Sequence, residues 1–210
     1  YALPETAFLM QDSGAKVLGS SSYLAKTALE TAPLILGVAL YMVNGASAPF
    51  QPLEAALDAQ PVTPIADETA GSDLLYSSGT TGRPKGVKVA LTGLPITEPN
   101  SLLGLTQVLF GFNADMTYLS PAPLYHAAPL RYCMAVQRFG GTVIVMEHFD
   151  PEQALALIQK YKVTHAQWVP TMFVRMLKMD ESIRAKYDVS SLKAAIHAAA
   201  PCPVDVKRRM

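Results

Sequence analysis

Apolar and polar positions alternate between strand-like and helix-like spacing, and the pattern is clearest in the second half of the chain. Residues 142–146 are β-branched and apolar and predict a strand. Asp150 then stands where a helix N-cap belongs, with Pro151 in the first helical position and Gln153 three residues on, a capping-box arrangement. Ala154, Leu155, Leu157, Ile158 and Tyr161 recur at helical spacing and predict one buried face. A strand over 163–168, a helix over 171–179 and a strand over 193–198 continue the alternation. Met172, Met176 and Met179 share one side of that helix and read as core. Before this region, residues 102–110 read as helix and 116–119 as strand. A long helix over 127–139 follows, with Gly140-Gly141 as its stop.

The first half is more broken. Pro4-Glu5-Thr6-Ala7 opens a short helix, residues 16–19 suit a strand, and 24–31 a helix. A buried strand over 38–43 ends at Asn44-Gly45, and 53–59 is helical. Residues 61–72 are connecting chain. A strand over 74–77 runs into a glycine-rich loop, extended chain resumes at 87–89, and Pro95 and Pro99 make 92–100 a surface loop. Strands and helices alternating at this spacing predict an α/β fold, with a largely parallel sheet flanked by helices and right-handed crossovers.

Composition narrows the function. Half of the 210 residues are hydrophobic, 16% are charged, and seventeen acids balance seventeen bases. Such a chain is not disordered, and it has no net positive charge with which to bind nucleic acid by releasing counterions. Lys207-Arg208-Arg209 reads as the solvated face of a helix opened by Pro203. The apolar stretch 32–43 contains Pro33 and Gly37 and is shorter than the roughly 20 residues a membrane span needs. Cys133 and Cys202 are too few for a disulfide framework, so a reduced, cytoplasmic setting is expected. The chain begins at Tyr1 without a methionine and stops inside the helix that Pro203 opens, which reads as an excised fragment. Apolar surface left uncovered at such ends predicts self-association into a homo-oligomer.

The chemistry concentrates between Ser77 and Gly86. Gly79, Gly82 and Gly86 let the backbone approach a ligand, Ser77, Ser78, Thr80 and Thr81 add hydroxyl donors, and Lys85 adds a positive charge. Successive amides in such a turn make an anion-binding concavity, and the expected ligand is a polyphosphate. The stretch is neither G-x-x-x-x-G-K-[ST] nor G-x-G-x-x-G, because Pro84 stands where the second glycine of the first pattern would fall. His148, His165 and His197 have no metal-ligand spacing and read as structural.

Ser-Ser-Gly-Thr-Thr-Gly-Arg-Pro-Lys-Gly over 77–86 resembles the signature loop of the adenylate-forming superfamily of acyl-CoA synthetases, luciferases and peptide-synthetase adenylation domains. The likeness extends along the chain. Residues 5–19 resemble the family segment before the loop, and Pro123-Leu124-Tyr125-His126 the motif near the meeting of the acyl and CoA channels. Trp168-Val169-Pro170-Thr171 resembles a border of the acyl pocket, and Ala198-Ala199-Ala200-Pro201-Cys202-Pro203 the turn against adenine. Two departures stand out. Alanines occupy 198 and 199 where the family has glycines, and the family's Thr-His after the loop is missing from 89–100.

The resemblance implies part of the N-terminal domain of an acyl-CoA synthetase over 1–210, without the C-terminal domain that bears the adenylation lysine. It implies ATP, magnesium and CoA as cofactors and cosubstrate, and a small-molecule carboxylic acid as substrate. Ser77, Ser78, Gly79, Thr80, Thr81, Gly82 and Lys85 would hold the phosphates, Thr80 would also meet magnesium, and Ala199, Ala200 and Pro201 would lie against adenine. His126 is the candidate catalytic residue, acting as a gate or wall of the substrate site and not as a proton carrier. Trp168 would line that site. The motif over 118–129 sits closest to fatty-acyl or bile-acid ligases. An aryl- or bile-acid ligase and a non-enzymatic nucleotide-binding module are the alternatives. The family's magnesium-binding glutamate and ribose-binding aspartate lie downstream of this chain, so the chain by itself is expected to lack ligase activity.

Overall fold

The structure is a computed structural model that describes residues 3–77, 84–198 and 200–210. The chain divides into two compact units, Tyr1–Glu98 and Pro99–Met210.

In the first unit α1 (Leu3–Ser13) leads to β1 (Val17–Ser21), α2 (Ala25–Thr31), β2 (Ala39–Val43), β3 (Gln51–Pro52) and α3 (Leu53–Asp58). The three strands form a parallel sheet in sequence order, with Leu18 opposite Leu40. Ala28 and Ala32 pack with Met42, Phe50, Leu18 and Leu40. Of the strand predicted to be buried over 38–43, Met42 alone is closed off, because the cluster gathers on one face and leaves Ala39 exposed and Tyr41 half-buried. Two further strands, β4 (Leu75–Ser77) and β5 (Lys85–Val87), pair antiparallel. Pairing with β4 begins β5 at Lys85, two residues before the extended chain predicted at 87–89. The proline-containing loop is tied to the connecting chain over 61–72: Ala70 N–H donates to the Leu94 carbonyl and Ile96 N–H to the Glu68 carbonyl, each at 2.8 Å.

The second unit runs α4 (Ser101–Phe110), β6 (Thr117–Ser120), α5 (Ala127–Arg138), β7 (Thr142–Val145), α6 (Pro151–Tyr161), β8 (His165–Trp168), α7 (Pro170–Leu177), α8 (Glu181–Arg184), β9 (Ala194–His197) and α9 (Val204–Arg209). Its sheet is parallel throughout, in the order β7-β6-β8-β9. Helix starts are fixed by local chemistry. Asn100 Oδ1 accepts from Leu103 N–H at 2.9 Å, and Asp150 Oδ1 accepts from Gln153 N–H at 2.7 Å. Gly140, at φ 83°, ends α5 in the left-handed conformation that glycine adopts without penalty. Gly141 follows because there is no space for a side chain: a Cβ there would lie 2.8 Å from Met116 Cγ and 3.1 Å from the Met116 carbonyl.

Alternate residues of this sheet feed two cores. Leu119, Ala166 and Trp168 meet Ala154, Ile158, Phe173 and Met176 on the α6 and α7 side. Tyr118 and Ile196 meet Leu103, Phe112, Cys133 and Val136 on the α4 and α5 side. Met172 and Met176 are buried as the spacing predicts. Tyr161 is not. It ends α6 with 42% of its surface open and has the Lys160 ammonium over its ring. The four-residue α8 was not foreseen; Asp180 starts it by accepting from Ser182 N–H at 2.8 Å.

Candidate functional site

Antiparallel register sets Ser77 opposite Lys85 and Tyr76 opposite Gly86 at the base of the glycine-rich loop. Ser77 and Lys85 are exposed. The Tyr76 ring lies across Gly86, so a Cβ there would meet the ring at 3.0–3.3 Å. The Tyr76 hydroxyl donates to Asp12 Oδ2 at 2.7 Å, which joins the hairpin to the end of α1. Loss of solvent and that bond to a carboxylate push the Tyr76 phenol up to about 12, so it remains a donor at any physiological pH. A two-stranded base therefore carries a hydroxyl and an ammonium side by side. Ser78, Gly79, Thr80, Thr81 and Gly82 lie outside the described residues, as does Ala199.

The remaining sequence candidates belong to the second unit, at the carboxyl ends of its strands. From β6 the chain turns through α5 to β7 on one flank, then crosses back through α6 to β8 on the other. The helices that follow β6 and β8 thus pack on opposite faces of the sheet, the arrangement that opens a crevice beyond adjacent strand ends in α/β sheets. His126 is the N-cap residue of α5, exposed, with no side-chain capping bond and its ring 4.5 Å from that of Tyr125. Ala198, just past β9, donates its N–H to the Trp168 carbonyl at 3.2 Å, and Ala200 and Pro201 follow in exposed chain. This edge therefore collects His126, Trp168, Ala200 and Pro201.

The Trp168 side chain turns to the α6 and α7 face, away from α5. It is 2% exposed and, with Phe173, Met176, Leu192 and His197, lines an apolar cavity of about 290 Å³. His197 also meets Phe173 edge-on at 6.4 Å. His165 is structural. Its Nε2 faces the Phe110 carbonyl at 2.8 Å, which can only accept, so Nε2 carries the proton and Nδ1 accepts from the Thr164 hydroxyl, also at 2.8 Å. Burial first of all lowers the His165 pKa and keeps the ring neutral. Sequence reasoning passed over two polar side chains at this same edge, Ser120 and Gln167, both closed from solvent. Gln167 could have been found as an amide between Ala166 and Trp168 in an otherwise apolar strand. Ser120 sits inside the recognised motif and carries no signal of its own. Among the described residues no group of three His, Cys, Asp or Glu could hold a metal ion, and no helix is long and apolar enough to cross a membrane.

The profile of the AMP-binding enzyme family matches residues 1–210. A feruloyl-CoA synthase from Amycolatopsis sp is 33% identical over 210 residues, 99% of this chain and 39% of that protein. A 4-coumarate–CoA ligase from Pinus taeda is 38% identical over 129 residues, 61% of this chain and 24% of the relative. Among solved structures, the N-terminal domain of FACL13 from Mycobacterium tuberculosis superposes with a TM-score of 0.77 at 27% identity, covering 99% of this chain and 50% of that one. O-succinylbenzoate coenzyme A synthetase from Bacillus subtilis, solved with ATP and magnesium, gives 0.71 at 22% identity, over 99% of this chain and 39% of its own, a likeness of fold. The chain spans well under half the length of the curated relatives it matches.

Proposed function

Because this chain belongs to the AMP-binding enzyme family, we propose that the protein containing it is an ATP-dependent acyl-CoA synthetase. The observation that carries this reading is the exposed pairing of Ser77 with Lys85 across the hairpin that bounds the glycine- and hydroxyl-rich loop.

In the first half-reaction a carboxylate oxygen attacks the α-phosphorus of ATP. The new C–O–P linkage forms as the bond to the β-phosphate breaks, and pyrophosphate leaves with the electron pair. The CoA sulfur then attacks the acyl carbon, AMP departs with the electrons of the broken C–O bond, and the thiol proton passes to solvent. Charge gathers on the leaving pyrophosphate, so preorganised donors there lower the barrier. Ser77, Ser78, Gly79, Thr80, Thr81, Gly82 and Lys85 take that role. Magnesium, when bound, neutralises charge on the phosphate oxygens. Within this chain Thr80 would supply its contact, the rest coming from the phosphates and from the downstream glutamate that the family resemblance implies. Ala199, Ala200 and Pro201 border the adenine, His126 gates the acid site and Trp168 backs it.

The motif over 118–129 supports a fatty acid or similar chain as the acid. The feruloyl-CoA synthase and coumarate–CoA ligase relatives support an aryl acid as the second reading. The two free thiols, Cys133 buried and Cys202 half-buried, suit a reducing, cytoplasmic setting. Pyrophosphate release by the full-length protein over a panel of fatty and aryl acids tests the activity and ranks the acids. Replacing Lys85 with Ala should raise the KM for ATP at least about tenfold and leave the KM for the acid unchanged. An unchanged KM for ATP would remove the loop from the phosphate site.

A further inference from the structure

Besides Tyr118, whose hydroxyl also lacks a partner among the described residues, the α5 face of the second unit's sheet encloses three polar side chains, His165, Ser120 and Gln167. The first is saturated, with both ring nitrogens bonded. The other two are not. Ser120 is 1% exposed, and its Oγ meets no oxygen or nitrogen partner among the described residues; it has only the Cys133 thiol of α5, a weak partner, beside it. Gln167 is 2% exposed, and its one described bond runs from Nε2 to the Trp168 carbonyl at 3.5 Å, the outer limit of a hydrogen bond.

The register makes these two residues a pair. Leu119 lies beside Ala166 in parallel strands, so the next positions, Ser120 and Gln167, are neighbours. Gln167 in turn lies beside Ile196 of the α5-side core, while Ala166 and Trp168 belong to the opposite core. Both side chains therefore share one face at the carboxyl ends of β6 and β8, the adjacent strands between which the crevice opens. Leaving a buried polar group unpaired costs about 1–3 kcal/mol, so such groups are retained where something else completes them.

We propose that Ser120 and Gln167 form a polar floor in the acid-binding pocket and select an acid whose distal part carries a hydroxyl over the unsubstituted acid of the same length. A hydroxyl suits the pair because it donates and accepts at once. It can accept from the Gln167 amide and donate to Ser120 Oγ, or the reverse. The unsubstituted acid would put carbon against both groups and leave them unpaired, the condition under which sites built to bond a hydroxyl discriminate most strongly. This assignment rests on the acyl-activating reading above, and it adds Gln167, which lies outside the sequence motifs, and gives Ser120 a role that its motif did not assign.

The test uses the full-length protein and matched acids: straight-chain acids with and without a terminal hydroxyl, and aryl acids with and without a ring hydroxyl. The hydroxylated member of at least one series should be favoured by about tenfold or more in kcat/KM. Gln167→Met, close in volume and apolar, should bring that ratio toward one, and Ser120→Ala should lower it in the same series. The thermal midpoint of Gln167→Met should hold, because a poorly paired amide is exchanged for an apolar group of similar shape. A wild-type preference for the unsubstituted acids, an unchanged ratio in Gln167→Met, or a marked fall in its midpoint would overturn the proposal in favour of a purely structural pair or one that holds a buried water. Calorimetric binding of the same acids reads the preference without turnover. A protein that binds the hydroxylated acid selectively and releases no pyrophosphate would sink the ligase reading and leave the pair standing.

Discussion

Replacing Gly141 with Ala tests whether the α5–β7 turn is packed as tightly as its geometry says. The added Cβ would sit 2.8 Å from Met116 Cγ, 3.0 Å from Val136 Cγ1 and 3.1 Å from the Met116 carbonyl oxygen. Carbon pairs rest at about 3.5–4.0 Å, so all three neighbours are too close. None is the free end of a long side chain. Met116 and Val136 are 2% and 0% exposed, and the Met116 carbonyl already accepts from Thr142 N–H at 2.9 Å. Relief must come from backbone movement at the start of β7, and overpacking of this kind costs about 1–3 kcal/mol. For a chain of this size each kcal/mol lowers the thermal midpoint by roughly 2–4 °C, so a loss of several degrees is expected by circular dichroism or calorimetry. Gly104 is the internal control. It lies within α4 with open space where a Cβ would go, and Gly104→Ala should stabilise by up to about 1 kcal/mol through helix propensity. The same chemical change is thus expected to act with opposite sign at two positions. Equal midpoints for the two variants, or a gain at 141, would refute the packing argument.

Two further predictions follow from the second unit. Asp150→Ala removes the acceptor of the 2.7 Å bond from Gln153 N–H and should cost about 1 kcal/mol in urea denaturation, with an unchanged m-value. Hydrogen bonds from Ser190, and then the Lys162 ammonium at 3.1 Å, hold the Asp188 carboxyl down at about 2. The folded state therefore binds this proton less readily than the unfolded chain, whose Asp titrates near about 3.9, so the contribution is complete above about pH 5 and fades as pH falls toward 2. Asp188→Asn should flatten the stability profile within that window and leave its shape between pH 5 and 8 alone.

Local chemistry made much of the fold legible. The Asp150-Pro151 start, the Gly140 stop and the β-branched run of β7 each determine their element through the first few neighbours, and each lies within two residues of its expected place. What depended on long-range packing was not legible. The exposure of Tyr161 and the open residues of β2 follow from which side another element covers, and spacing along one segment carries no such information. The same holds at the site. The hydroxyls, glycines and lysine of the loop are visible as a pattern, whereas the Ser77–Lys85 pairing needs the antiparallel register, and the companionship of Ser120 with Gln167 needs two strands separated by a helix, a strand and a second helix.

The division of the chain near residue 98 bears on how such an enzyme can diversify. Ser77 and Lys85, which would grip the phosphates of the invariant cosubstrate, belong to one compact unit; His126, Ser120 and Gln167, which would face the variable one, belong to the other, as do Ala200 and Pro201, which would border the adenine. Under that reading, substitutions that retune acid preference can accumulate in residues 99–198 without disturbing the hairpin that would hold the phosphates. Exchange of that segment between relatives is the natural unit for transplanting selectivity.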